Sequence, residues 1–205
     1  MKSQSPQSSN TLFPVFLKLE KLNVLLVGGG NVALEKLGAL LGNCPEARIK
    51  LIATEISGEV RAVLSTSLIP FEERPFGQDD LQNIDLAIIA VNDPDASSAI
   101  YQQCRERKVL TNVADKPHLC DFYLSSVVQK GNLKIAISTN GKSPTVAKRV
   151  KEVLNETFPE EIEAILNNMQ KIRNSLRGDF SEKVKQLNEI TEILAKKGEL
   201  PGEPD

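Results

Sequence analysis

An α/β fold built on a parallel sheet is the class this sequence predicts, and three observations predict it. Short, wholly apolar runs alternate with stretches of helical periodicity, the pattern of strands that crossover helices bury on both faces. A glycine-rich turn stands directly between the first apolar run and the first helical stretch. The chain has 205 residues, 40% hydrophobic and 25% charged, enough to bury such a sheet in one medium domain with something smaller beside it.

Val24 to Val27 is a continuous apolar run and reads as the first strand. After it Ala33, Leu34, Leu37, Leu40 and Leu41 recur at helical spacing. Ile49 to Ala53 reads as a second strand, Leu68 to Glu72 as a short third and Leu86 to Val91 as a fourth. Ala96 to Arg107 reads as a helix with Ala99, Ile100 and Cys104 inward, and Val109 to Val113 as a fifth strand. The pattern then changes. Phe122 to Gln129 and Leu133 to Ser138 are strand-like runs separated by Lys130, Gly131 and Asn132, a spacing that suits a hairpin. Ser143 and Pro144 supply an N-cap and a first helical residue. From there the chain reads as helical. One apolar stripe runs through Ile162, Ile165, Leu166, Met169, Ile172 and Leu176. Asp179 and Glu182 resemble a capping box before a second stripe of Phe180, Val184, Leu187, Ile190 and Leu194, which Gly198 ends. Such stripes are packing faces or subunit interfaces.

Composition removes several functions. A net charge of -2 argues against nucleic acid as a partner. The single histidine, His118, excludes a site built from several imidazoles, and no metal ligands are expected. Cys44, Cys104 and Cys120 are odd in number and form no C-x-x-C, as expected of reduced thiols in a cytoplasmic protein. The Ser/Gln-rich start has no apolar core, so no signal peptide is expected, and no run is long enough to span a membrane. Charge divides unevenly: residues 1–113 carry 11 basic and 13 acidic side chains, 114–151 carry seven and two, and 152–205 carry seven and 12. The middle segment, net +5, is either an ordinary solvated face or a surface that attracts an anion.

The turn after the first strand reads Gly28, Gly29, Gly30, Asn31, Val32, Ala33. G-x-G-x-x-A between strand and helix is the dinucleotide fingerprint of a Rossmann-type sheet. Gly28 permits the tight turn, Gly30 lets the backbone approach a pyrophosphate, and Ala33 allows close helix–strand packing. The anion would sit on the N–H groups that open the helix. Glu55, after the second strand, would accept hydrogen bonds from the adenine ribose and repel a 2′-phosphate, which favours NAD. Asn92 and Asp93 follow the fourth strand, either as cofactor rim or as turn residues capping the next helix. Asp115 ends the fifth strand, where a carboxylate acts as a general base or as a loop cap. Ala136 to Ser143 nearly matches a P-loop, but Ala136 replaces its first glycine and Pro144 removes an N–H, so NTP hydrolysis is not expected.

Four segments together resemble the siroheme synthase N-terminal family: FPVFLKL from Phe13 leading to the glycine turn, NVADKP from Asn112, CDF from Cys120, and KIAISTNGKSPTVAKR from Lys134. The resemblance covers about residues 12 to 158 and implies precorrin-2 dehydrogenase activity with NAD, plus insertion of Fe2+ in bifunctional members. It implies a fold of three parts: an NAD-binding domain (1–113), a small strand-containing dimerisation segment (114–147) and a helical C-terminal domain (148–205). Two chains would interlock as a homodimer. The family's essential aspartate falls on Asp115. Its site serine falls on Thr139, beside Ser138. Precorrin-2 carries eight carboxylates, so Lys116, Lys142 and Arg149 of the basic segment are candidate partners. The competing reading is a non-catalytic, NAD(H)-sensing dimer.

Overall fold

A computed structural model describes residues 9–159, 162–176 and 180–195, with side-chain surroundings described for all of these except Phe180 and 190–195. Among the described residues seven strands and six α-helices follow one another. β1 (Asn23–Val27), α1 (Asn31–Asn43), β2 (Arg48–Ala53), α2 (Gly58–Thr66), β3 (Phe71–Glu73), β4 (Leu86–Ile89), α3 (Pro94–Glu106) and β5 (Leu110–Val113) come first. β6 (Ser126–Lys130), β7 (Leu133–Ile137), α4 (Pro144–Thr157), α5 (Ile162–Ser175) and α6 (Phe180–Ala195) complete the chain. Among the described residues no helix is long and apolar enough to cross a membrane.

The first five strands form one parallel sheet in the order β3-β2-β1-β4-β5. This is the Rossmann-type sheet the sequence predicts. Side chains alternate across it because a strand has period two. Val24 and Leu26 point to one face, under α1 and α2, where Leu37, Val60 and Leu64 are fully enclosed. Leu25 and Val27 point to the other, against Ile100 and Cys104 of α3. Burial on both faces explains why these strands read as unbroken apolar runs. The chain places β2 on one side of β1 and β4 on the other, so a crevice opens between the carboxyl ends of β1 and β4.

Most strand ends move by one or two residues, and three expected boundaries move for a visible reason. β3 is Phe71–Glu73 rather than Leu68 to Glu72. Leu68 sits at φ 53°, the left-handed region, so the backbone turns there instead of extending. α3 begins at Pro94 rather than Ala96, since the Asp93 carboxylate caps it by accepting from the N–H groups of Asp95 and Ala96. The sixth strand is Ser126–Lys130, not the longer run from Phe122. Phe122 and Leu124 instead pack as loop residues on the sheet core. At α4 the Ser143 hydroxyl accepts from Val146 N–H, with Pro144 in the first turn, as the sequence indicates. Asp179 and Gly198 lie outside the described residues.

The chain divides into two compact units. The first comprises Met1–Ser126 with Ile137–Ala147, and the second Val127–Ala136 with Lys148–Asp205. Within the second, the Glu163 carboxylate of α5 accepts from the backbone and side-chain N–H groups of Asn132, at 2.7 and 2.6 Å, and so fastens the turn between β6 and β7. Those bonds hold its carboxyl below the ordinary range.

Candidate active site

The first unit carries two hollows at the carboxyl edge of its sheet. The larger, about 670 Å³, occupies the β1/β4 crevice. Its floor is the glycine turn. Gly28 has φ +127°, and a β-carbon there would collide with the Ala90 carbonyl. A β-carbon on Gly29 would collide with the Glu55 carbonyl. These two glycines let β1, β4 and the loop after β2 close on one another. Gly30 differs: a β-carbon there meets nothing within 4 Å, so its place is open space in the hollow. Gly30 is also the N-cap of α1 and offers no side chain to the N–H groups that follow. They are left for an anion, and the helix dipole adds to the attraction. Asn31 and Val32 line the same wall, while Ala33 is fully buried and lets α1 approach the sheet.

Glu55 and Asn92 face this hollow, as the sequence suggests. Asp93 is not among its walls; its carboxylate belongs to the α3 cap. The loop carrying Glu55 is clamped from both sides. Ser57 N–H donates to the Gly29 carbonyl at 2.9 Å, and Ile56 N–H donates to the Glu73 carboxylate at 3.0 Å. Arg61 pairs with Glu73 at 2.7 Å and lies over the Phe71 ring. The Arg61 hydrogen bond, then that of Ile56, holds the Glu73 carboxyl below its ordinary range. Sequence reasoning missed Glu73, Pro75, Phe76 and Gln103 here, because the contacts join residues 17 or more positions apart and no motif marks them.

The second hollow, about 410 Å³, lies past β5. Asp115 and Lys116 line it, with Ser138, Thr139 and Lys36. Register places it: Val27 pairs Ile89 and Ile89 pairs Val113, so the residues after β1, β4 and β5 stand on three adjacent strands. Asp115 is at φ 59°, a left-handed conformation that aspartate tolerates better than most residues. Its carboxylate is exposed and has no hydrogen bond or ion pair among the described residues. The loop beneath it is tied down. Asn112 donates to the Phe122 carbonyl at 2.8 Å, and the Cys120 sulfur receives Val113 N–H at 3.3 Å. Burial pushes the Cys120 thiol above its ordinary range, so it is a neutral packing group.

Lys116 Nζ donates to the Pro94 carbonyl at 3.0 Å. The Thr139 hydroxyl bridges the backbone N–H and carbonyl of Ser143, and the Ser138 hydroxyl accepts from Asn140 N–H. Both hydroxyls thus hold the loop in shape. Lys142 is in this loop but not among the residues lining the hollow. Arg149 belongs to the second unit, where it pairs with Glu152 at 2.6 Å. His118 is exposed on a short helical turn and does not line the hollow.

Chemically, the first hollow is fitted to a dinucleotide: an open glycine, an uncapped helix start and a carboxylate at the end of β2. The second adds a free carboxylate one strand away. Comparison with known proteins puts Asp115 and most of the second hollow's lining in the same segment as the first hollow. A model described as putative NAD(P)-binding matches residues 15–126, and one described as sirohaem biosynthesis protein, central, matches residues 130–156. The siroheme synthase of Psychrobacter arcticus is 33% identical over 177 residues, 85% of this chain and 31% of that protein. The siroheme synthase of Buchnera aphidicola is 30% identical over 168 residues, 82% of this chain and 35% of that protein. The chain therefore spans about a third of the length of these relatives. Among solved structures, SirC, a precorrin-2 dehydrogenase, matches with a TM-score of 0.70 and 26% identity, covering 87% of this chain and 89% of that one.

Proposed function

The chain belongs to the siroheme synthase N-terminal family, with a putative NAD(P)-binding segment followed by a sirohaem-biosynthesis central segment, and on that premise we propose that it oxidises precorrin-2 to sirohydrochlorin with NAD+. The observation that carries this reading is the adjacency of the two hollows at one sheet edge. A dinucleotide seated on the glycine turn would lie beside Asp115.

The N–H groups of Asn31 and Val32 would hold the pyrophosphate, and Gly30 leaves it room. Glu55 would accept from the ribose hydroxyls, and its charge would repel a 2′-phosphate, which selects NAD over NADP. When bound, the nicotinamide supplies the hydride acceptor. Asp115 would take the proton lost with the hydride; unpaired and in contact with solvent, it can pass that proton on. Lys116 lines its hollow, and Lys142 of the first unit is the further cation we assign to substrate carboxylates; Arg149 remains a sequence-based candidate alone. The two hydroxyls of Ser138 and Thr139 would shape the rim. A homodimer is part of the reading, because Val146, Val150 and Val153 leave an exposed stripe along α4 that a second copy would cover.

The deciding experiment mixes the full chain anaerobically with precorrin-2 and either NAD+ or NADP+. The sirohydrochlorin spectrum should appear with NAD+ and much more slowly with NADP+. NAD+ binding without conversion would overturn the enzyme in favour of the sensor. Insertion of Fe2+ into the product, the family's second activity, is tested separately by adding Fe2+ and sirohydrochlorin without NAD+.

A further inference from the structure

Besides the glycine turn, the larger hollow is walled by Pro75 and Phe76, which follow β3, and by Ala99, Ile100 and Gln103 of α3. Phe76 and Ile100 are also joined in the core on that face of the sheet. These five make an apolar stretch of wall, a slot with one polar side chain. The Gln103 Oε1 is buried and accepts no hydrogen bond, the one such side-chain atom found among the described residues. A carbonyl oxygen shut away from water without a donor is destabilising, and native structures rarely keep one. Gln103 itself is half-buried and belongs to the wall of the hollow rather than to the depth of the core.

We infer that Gln103 is the residue that recognises the adenine base, its side-chain carbonyl accepting from the exocyclic amino group while Phe76, Ala99 and Ile100 contact the ring. The inference rests on the dinucleotide reading of the site. Within that reading the orientation follows. The pyrophosphate belongs at α1 and the reactive end belongs toward Asp115, so the adenosine half falls to Glu55 and the slot. A flat base with apolar faces and a donor on one edge matches a slot with apolar walls and one orphan acceptor. The last torsion of a glutamine is broad, so the amide can turn to the ring edge with no backbone movement.

The test compares equilibrium binding of NADH and of reduced nicotinamide purine dinucleotide, which carries only hydrogen where adenine has its amino group. Both are followed by nicotinamide fluorescence, and the chain is studied as wild type, Gln103→Leu and Gly30→Asp. Wild type should prefer NADH about tenfold, the worth of one hydrogen bond to a buried acceptor. Gln103→Leu should bind the two dinucleotides equally, by losing affinity for NADH alone. Its ligand-free unfolding midpoint should be unchanged or higher, since an unpaired buried acceptor has gone. Equal binding by wild type, or undiminished preference in Gln103→Leu, would overturn the role of Gln103. The dinucleotide reading fails separately: then Gly30→Asp would bind NADH as wild type does, or wild type would bind neither.

Discussion

In the first unit β1, β2 and β4 carry side chains enclosed on both faces, Leu25, Leu26, Leu51 and Ile88 among them. In the second, Val128 is the single buried side chain among those described, and the apolar stripe of α5 is half-buried to exposed along its length. The contrast separates two ways of being stable. The sheet closes its own core. The helices present apolar faces that one chain leaves partly in water, which is the condition for association to supply the missing burial. It also separates two tasks, since both hollows at the sheet edge belong wholly to the first unit.

The largest expected effect tests where the chemistry resides. Asp115→Asn should lower turnover by about 10²–10⁴, the contribution of a positioned general base, with NAD+ affinity and unfolding midpoint unchanged. Steady-state kinetics at wild-type rate would take catalysis away from the first unit. Next is Leu51→Ala, in the fully enclosed centre of β2, which should cost about 2–5 kcal/mol in chemical unfolding. That loss should not vary with protein concentration. In the second unit Val150→Asp should act in the opposite manner. It should leave dilute-solution stability nearly unaltered but shift sedimentation from dimer to monomer. A wild type that sediments as a monomer would show that the second unit's exposed apolar faces do not drive association.

Two smaller effects sharpen the account of the first unit. The Asp80 carboxylate receives both Arg74 terminal nitrogens, at 2.8 and 2.6 Å, and Gly77 N–H at 2.9 Å. The Arg74 bonds above all hold its pKa below the ordinary carboxylate value. A depressed folded pKa means stabilisation that is complete above the unfolded value of about 3.9 and is lost as pH falls through the folded one. Asp80→Asn should therefore lower stability at neutral pH by about 1–2 kcal/mol, discounted for the half-exposed arginine. It should also flatten the acid limb of the stability–pH curve below about pH 4. The smallest effect is a gain. Leu68 is exposed in the left-handed region, so Leu68→Gly should raise stability by about 1 kcal/mol in thermal unfolding.

Sequence legibility followed the same division. β1, the glycine turn and α1 were readable because period, turn chemistry and motif agree at one place. Ser143 and Pro144 were readable because a helix cap is a local device. β3 was not, since Leu68 and Ile69 look like strand residues, yet one turns the chain and the other is buried beside the sheet. Phe122 and Leu124 misled for a related reason: their apolar character serves packing of a loop against a distant core. At the site, Gly28, Gly30, Glu55, Asn92 and Asp115 stand where a motif or a strand end directs them. Asp93 had two local readings, and its hydrogen bonds favour the cap. Phe76 and Gln103 come together only through tertiary packing, and no local pattern announces them.

The positive φ of Asp115 narrows what can replace it. Of the carboxylates, aspartate accepts the left-handed backbone through its short side chain, whereas glutamate prefers other regions and would carry the acid one methylene further out. Lineages and engineers alike thus reach this position through a small doorway: Asn and Gly keep the backbone but lose the acid, and Glu keeps the acid but strains the backbone. Exchange of one acid for the other, the usual conservative change, is here the substitution the main chain resists.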